Sequence, residues 1–189
     1  MAGFDAIDIG ARAVGILGSG AWLGLTLSTS NCLIPMILHN KTLSRRQRIE
    51  LWDTQFTLSV LRWTPIGILG ALSFFFAAYR SPGAGIVAVR GGAAAEAEAE
   101  AVMYNTRLVL SLSGGALLAM IPLTVKFIFP TVFALKDELK KGEEKEMVSE
   151  EEVRALIGKW EGRHRLRIAC SLVCAVLGVY DLGRIALAA

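Results

Sequence analysis

The sequence predicts an all-α integral membrane protein, a four-helix bundle in a single domain, on three observations. Its 189 residues are 53% hydrophobic and only 20% charged, with a mean hydropathy of +0.49, more apolar than an ordinary soluble domain. Its 20 Lys and Arg leave four stretches without charge: Ala13–Leu38, Trp63–Tyr79, Leu108–Val125 and Ile168–Tyr180. The first and third meet the roughly 20 residues that carry a helix across about 30 Å of hydrocarbon, the second is short but adequate, and the fourth is interrupted by Asp181 and Arg184 and counts as a span only by running on through them. The same numbers exclude a disordered chain, and a net charge of +3 excludes a nucleic-acid-binding arm.

The first span, about residues 13–38, follows Asp5 and Asp8 rather than a basic segment, so it reads as a retained helix and not a cleaved leader. It carries a dense polar set, Thr26, Ser28, Thr29, Ser30 and Asn31, ahead of Pro35. The hydroxyls are expected to bond back to their own helix carbonyls, with Asn31 pairing across helices near a proline kink. The alternative is that the set lines a cavity. Gly15, Gly18, Gly20 and Gly24 offer a face for homodimer contact.

Span two, about 63–79, is short but adequate, and the connection before it holds Trp52 and Gln55. The segment after it contains Gly83, Gly85, Gly91 and Gly92 and then an alternating Ala/Glu run from Ala93 to Ala101. Strong helix formers there predict a solvated extension of the third helix rather than a cation site, because alternate Glu side chains point about 200° apart.

Span three, about 108–125, ends on Pro122, Thr124, Lys126, Pro130 and Thr131. The prolines, eight apart, are expected to bend or end the helix and free carbonyls near Thr124. Lys126 either snorkels to the headgroups or stands as a cation at a cavity mouth. A mixed-charge loop, 136–163, follows. Within it Ser149 and Glu152 form a capping box that starts a helix with apolar residues Val153, Leu156, Ile157 and Trp160 at 3.6-residue spacing. That helix is expected to lie amphipathically on the cytoplasmic leaflet and lead into span four, about 167–187. Asp181 and Arg184, three apart near the end of this span, are expected to pair or to reach the headgroups.

Basic residues orient the chain. Five lie in the first connection (Lys41, Arg45, Arg46, Arg48, Arg62) and eight in the third (Lys136, Lys140, Lys141, Lys145, Arg154, Lys159, Arg163, Arg165), against five on the other face. The positive-inside rule makes 39–62 and 126–165 cytoplasmic. The Asn40-Lys41-Thr42 acceptor then stays unglycosylated.

Trp160, His164 and Arg167 share one helical face at spacings of four and three, setting an aromatic wall, a titratable ring and a fixed cation at the membrane boundary. The structural alternative is an interfacial aromatic belt with basic anchors. The three cysteines, Cys32, Cys170 and Cys174, fall in predicted spans without a zinc-ligand pattern, and no phosphate-cradling glycine loop or dinucleotide fingerprint occurs. No metal and no organic cofactor is expected.

Taken together, Ser28 and Ser30 with Pro35, Trp52, then Pro122, Thr124, Pro130, Thr131 and Leu135, then Trp160, His164 and Arg167 resemble the anthrone oxygenases of fungal aromatic polyketide pathways, over about residues 14–180. Two positions depart from the pattern: Val132 and His164 stand where Asn is expected. The resemblance implies oxidation of an anthrone CH2 to the quinone carbonyl with O2 as co-substrate and no flavin or metal. It implies His164 as base, Arg167 as stabiliser of the enolate or superoxide, Trp160 and Trp52 around the aromatic rings, and Asn31 or Thr124 on the phenols. The membrane would be the endoplasmic reticulum or vesicles derived from it. Two rival readings are a noncatalytic tetraspan scaffold that gathers pathway enzymes through its charged loop, and a small transporter.

Overall fold

The computed structural model describes residues 6–81, 93–141 and 148–188, with side chains in all of these except 93–104 and 185–188. Every element in them is helical: α1 (Ala6–Ser28), α2 (Ile34–His39), α3 (Arg45–Arg80), α4 (Ala93–Leu123), α5 (Phe129–Lys140) and α6 (Glu150–Ala188). A π-helical turn, Thr29–Leu33, joins α1 to α2, and another, Thr124–Ile128, joins α4 to α5. The chain therefore makes four long rods, and in each of the segments Ala6–His39, Arg45–Arg80, Asn105–Lys140 and Glu150–Arg184 it is long and apolar enough to cross a membrane. The rods form a ring in which α1 and α4 each pack between α3 and α6. The glycines of the second connection lie outside the described residues, but the Ala/Glu run from Ala93 is helical and extends α4, as its composition predicts.

Two hydrophobic cores divide the bundle lengthwise. Around the first, glycines bring backbones together, which is how helices associate where lipid removes the hydrophobic driving force. A Cβ at Gly18 would stand 3.2 Å from Gly70 Cα, and Gly15 and Gly178 make a socket for the fully buried Phe74 ring. Two of the four glycines expected to face a second copy, Gly15 and Gly18, are thus used inside the bundle, while Gly20 and Gly24 face open space.

The second core holds Ile34, Ile37, Ile49, Trp52, Leu135, Val153, Ile157 and Trp160. The Ser149 capping box forms, with Ser149 Oγ accepting from Glu152 N at 3.2 Å and Glu152 accepting from Ser149 N at 2.9 Å. The helix it starts runs without a break into the fourth span. It is the first half of the unbroken α6, with Val153, Ile157 and Trp160 buried in the bundle. A 3.6-residue stripe serves equally against headgroups or protein, and no helix breaker separates Val153 from Arg167. The expected loop 136–163 is likewise helical up to Lys140 and again from Glu150, and residues 142–147 lie outside the described ones. Lys140–Asp137 (3.2 Å) and Lys141–Glu138 (2.5 Å) pairs support the last turn of α5.

Each end is closed by a buried arginine. Arg12 bonds Asp8 (2.9 Å), Asp181 and Ser81 Oγ (2.9 Å), tying three rods together. Asp181 is therefore paired with Arg12 rather than with Arg184, whose guanidinium lies over the Tyr180 ring. A carboxylate buried in the bundle needs a buried partner, which a residue three places along the same helix does not supply here. At the charged end Arg48 donates to the Ile37, Leu38 and Asn40 carbonyls that terminate α2, and pairs with Glu150 at 2.8 Å.

Candidate functional site

Between the two cores the ring of helices is loosened by its prolines. Pro35 and Pro130 each fall within two residues of a π turn. A proline lacks the N–H for its i−4 carbonyl and its ring pushes that carbonyl aside. The chain answers with i→i+5 bonds, Ile34 N to Thr29 O and Phe129 N to Thr124 O, so both rods continue instead of ending. Such widened turns concentrate at functional sites. Arg163 clamps the second one, donating to Phe127 O and to Thr131 Oγ1, each at 2.7 Å.

The polar residues of the first rod divide by direction. Thr26 Oγ1 bonds back to the Trp22 carbonyl at 3.0 Å, Thr29 accepts from Gln55 Nε2 at 3.4 Å, and Ser30 Oγ is buried without a partner. Asn31 is exposed and takes no part in the site, contrary to the expectation for it. The Thr29–Gln55 bond gives the reason. Gln55 lies seven residues before Arg62, on its charged side, so Asn31 is already at the level of the charged helix surface and need not be buried.

On α6 the one-face spacing produces a stack. Trp160 lies parallel to the His164 ring (centroids 4.7 Å apart, 13°) and meets Trp52 edge-on (5.7 Å, 87°), and Trp52 stacks on Phe56 at 5.5 Å. His164 is 4% exposed. Neither of its nitrogens has a hydrogen bond of normal geometry among the described residues, and the Arg167 charge and the Thr26 backbone are the polar groups that bear on it.

One turn further, Arg167 is 8% exposed with its guanidinium over the Trp22 ring at 5.1 Å. Its Nε is buried without a partner, and among the described residues no carboxylate pairs with it. A buried cation in a membrane bundle is costly and by default functional.

Arg167 forms the floor of a narrow cleft of about 140 Å³. Trp22, Leu117 and Met120 make its back, Val60 and Ile68 of α3 face Ile121 and Val125 across its mouth, and Thr64 and Thr124 add hydroxyls. The structure thus brings Arg167 and Thr124 together in the cleft. His164, Trp160 and Trp52 form the buried column behind it and do not line it. Sequence reasoning missed Trp22 and Gly67. An isolated Trp in an apolar span looks lipid-facing, and only the 2.9 Å that would separate a Gly67 Cβ from the Trp22 ring shows the pair to be one feature. Val132, where Asn was expected, is buried in the core with Ile128 and Trp160.

An apolar cleft with one unpaired cation and a neighbouring imidazole suits a flat aromatic ligand bearing an anionic oxygen. The fold and site define a multi-pass membrane protein built as a four-helix bundle around such a cleft. The family model described as anthrone oxygenase matches residues 52–177, a stretch that takes in Trp52, Thr124, Trp160, His164 and Arg167, and the chain belongs to that family. Neither a search of curated proteins nor one of solved structures returns a match.

Proposed function

We propose that the protein is a cofactor-independent oxygenase that converts an anthrone of aromatic polyketide biosynthesis into the anthraquinone. The observation that carries this reading is the buried Arg167 at the floor of the apolar cleft, with no counter-ion among the described residues. An anthrone CH2 is acidified by the opposite carbonyl, and removing its proton leaves an enolate electron-rich enough to reduce O2 directly. One electron passes to O2, the radicals combine as a peroxide at that carbon, and loss of water leaves the carbonyl. The sum is anthrone plus O2 to anthraquinone plus water.

Arg167 holds the enolate oxygen and stabilises the charge that develops on it. His164, one helical turn from Arg167 in the column behind the cleft, is the base for the CH2 proton once its ring turns toward the cleft. Thr124 gives its hydroxyl hydrogen to the Met120 carbonyl at 2.6 Å, which leaves its oxygen to accept from a substrate phenol. Trp160 and Trp52 fix the imidazole from behind instead of enclosing the substrate. The charged end, with residues 39–62 and 126–165, faces the cytoplasm from the endoplasmic reticulum or vesicles derived from it.

Membranes bearing the protein, given 1,8-dihydroxyanthrone under air and under argon, should form quinone in air faster than empty membranes. His164→Ala should lower that excess by roughly 10²-fold or more, the usual worth of a general base. Equal rates with and without protein would remove the oxygenase reading. Full activity in His164→Ala would remove only the assignment of the base.

A further inference from the structure

The mouth of the cleft opens sideways, between α3 and the α4–α5 rod. Val60, Ile68, Ile121 and Val125, which frame it, are 36–54% exposed and apolar. They sit where the uncharged stretches 63–79 and 108–125 end, beside the exposed cations Arg62 and Lys126. That is the depth of the headgroup boundary, where flat amphipathic aromatics collect in a bilayer. The cleft as a whole offers about 140 Å³, close to an engineered cavity of about 150 Å³ that admits one benzene ring. A three-ring ligand therefore has one ring beside Arg167 and the rest in the mouth, against acyl chains.

We infer that the cleft is a lateral portal that takes a flat phenolic aromatic from the lipid headgroup boundary, between α3 and the α4–α5 rod, and carries its anionic oxygen to Arg167. The choice of ligand rests on the proposed function, but the route rests on the mouth itself.

The test uses full-length protein in phosphatidylcholine vesicles and 1,8-dihydroxyanthraquinone as probe, with binding followed by stopped-flow quenching of tryptophan and Arg167→Met vesicles defining the nonspecific part. Ile68→Trp and Val125→Trp should slow association and dissociation together by roughly tenfold, with the equilibrium constant changing far less. Leu72→Trp, on the same outer face of α3 but off the mouth, should change neither rate. Should the bulky variants fold poorly, Val125→Cys in a Cys32→Ser background, labelled after reconstitution with benzyl methanethiosulfonate, should show the same slowing and its reversal by reductant. Unaltered rates in the mouth variants, or no Arg167-dependent quenching at all, would overturn the portal. Portal-dependent quinone binding without anthrone turnover would leave the portal standing and remove the catalytic reading. Turnover with unaltered mouth variants would do the reverse.

Discussion

Arg12 and Arg167 are buried in the same bundle, 1% and 8% exposed, and among the described residues only Arg12 is paired. Arg12 has two aspartates and a serine, supplied by three rods. Arg167 has a tryptophan face and the open floor of a cleft. A buried charge whose partners all come from the chain holds the chain together, whereas one left without a counter-ion holds a place for something else. Arg48, which donates to the α2 carbonyls and pairs with Glu150, falls on the structural side of that division.

The sharpest way to break the comparison is to remove each cation. Arg12→Met takes the buried guanidinium away from Asp181 and Asp8 and should cost about 3–5 kcal/mol, seen as a large fall in thermal unfolding temperature in detergent. Arg167→Met strands no described carboxylate, so its unfolding temperature should hold or rise, while quinone formation falls roughly 10²- to 10³-fold, the worth of a lost oxyanion partner. If Arg167→Met proved as destabilising as Arg12→Met, Arg167 would be a structural cation and the comparison would fail.

A smaller effect is expected at Gly67. Its added Cβ would press on the Trp22 ring at 2.9 Å, and the ring is the one beneath Arg167. Gly67→Ala should cost about 1–3 kcal/mol as overpacking and raise KM more than it lowers kcat. Gly20→Ala, with nothing within 4 Å of the new atom, should be neutral in both measurements.

The bundle was legible in the sequence because its evidence is additive. Four uncharged stretches, Ser149 with Glu152, and the prolines near positions 35 and 130 each carry a local rule that tertiary structure does not overturn. The face shared by Trp160, His164 and Arg167 was legible for the same reason, since spacings of four and three survive in any straight helix. What was not legible depends on level and partner. Asn31 was expected inside because the first rod has 26 uncharged residues, yet the Thr29–Gln55 bond sets its end at the charged level of α3. Trp52 and Trp160 became buried core because the rods run on past the apolar stretch, and no composition rule distinguishes a wall of a site from the support behind it. The Ser44–Gln47 capping box that starts α3 is a local signal of the same kind as Ser149 with Glu152.

The smallest expected effect tests the rival class. A scaffold would act through the charged connection between α5 and α6, an oxygenase through the cleft. The two ends of that connection are held independently of residues 142–147: Glu138 accepts from Val148 N at 3.2 Å, and Arg45 donates to the Val148 carbonyl at 3.0 Å. Replacing 142–147 by a Gly/Ser linker of equal length keeps these ties and removes the charge of Glu143, Glu144, Lys145 and Glu146. Turnover of 1,8-dihydroxyanthrone and unfolding temperature should both stay within experimental error of the parent. Intact turnover in isolated membranes combined with loss of product in the producing cell would assign the connection a second role in recruiting partners, separate from the chemistry at Arg167.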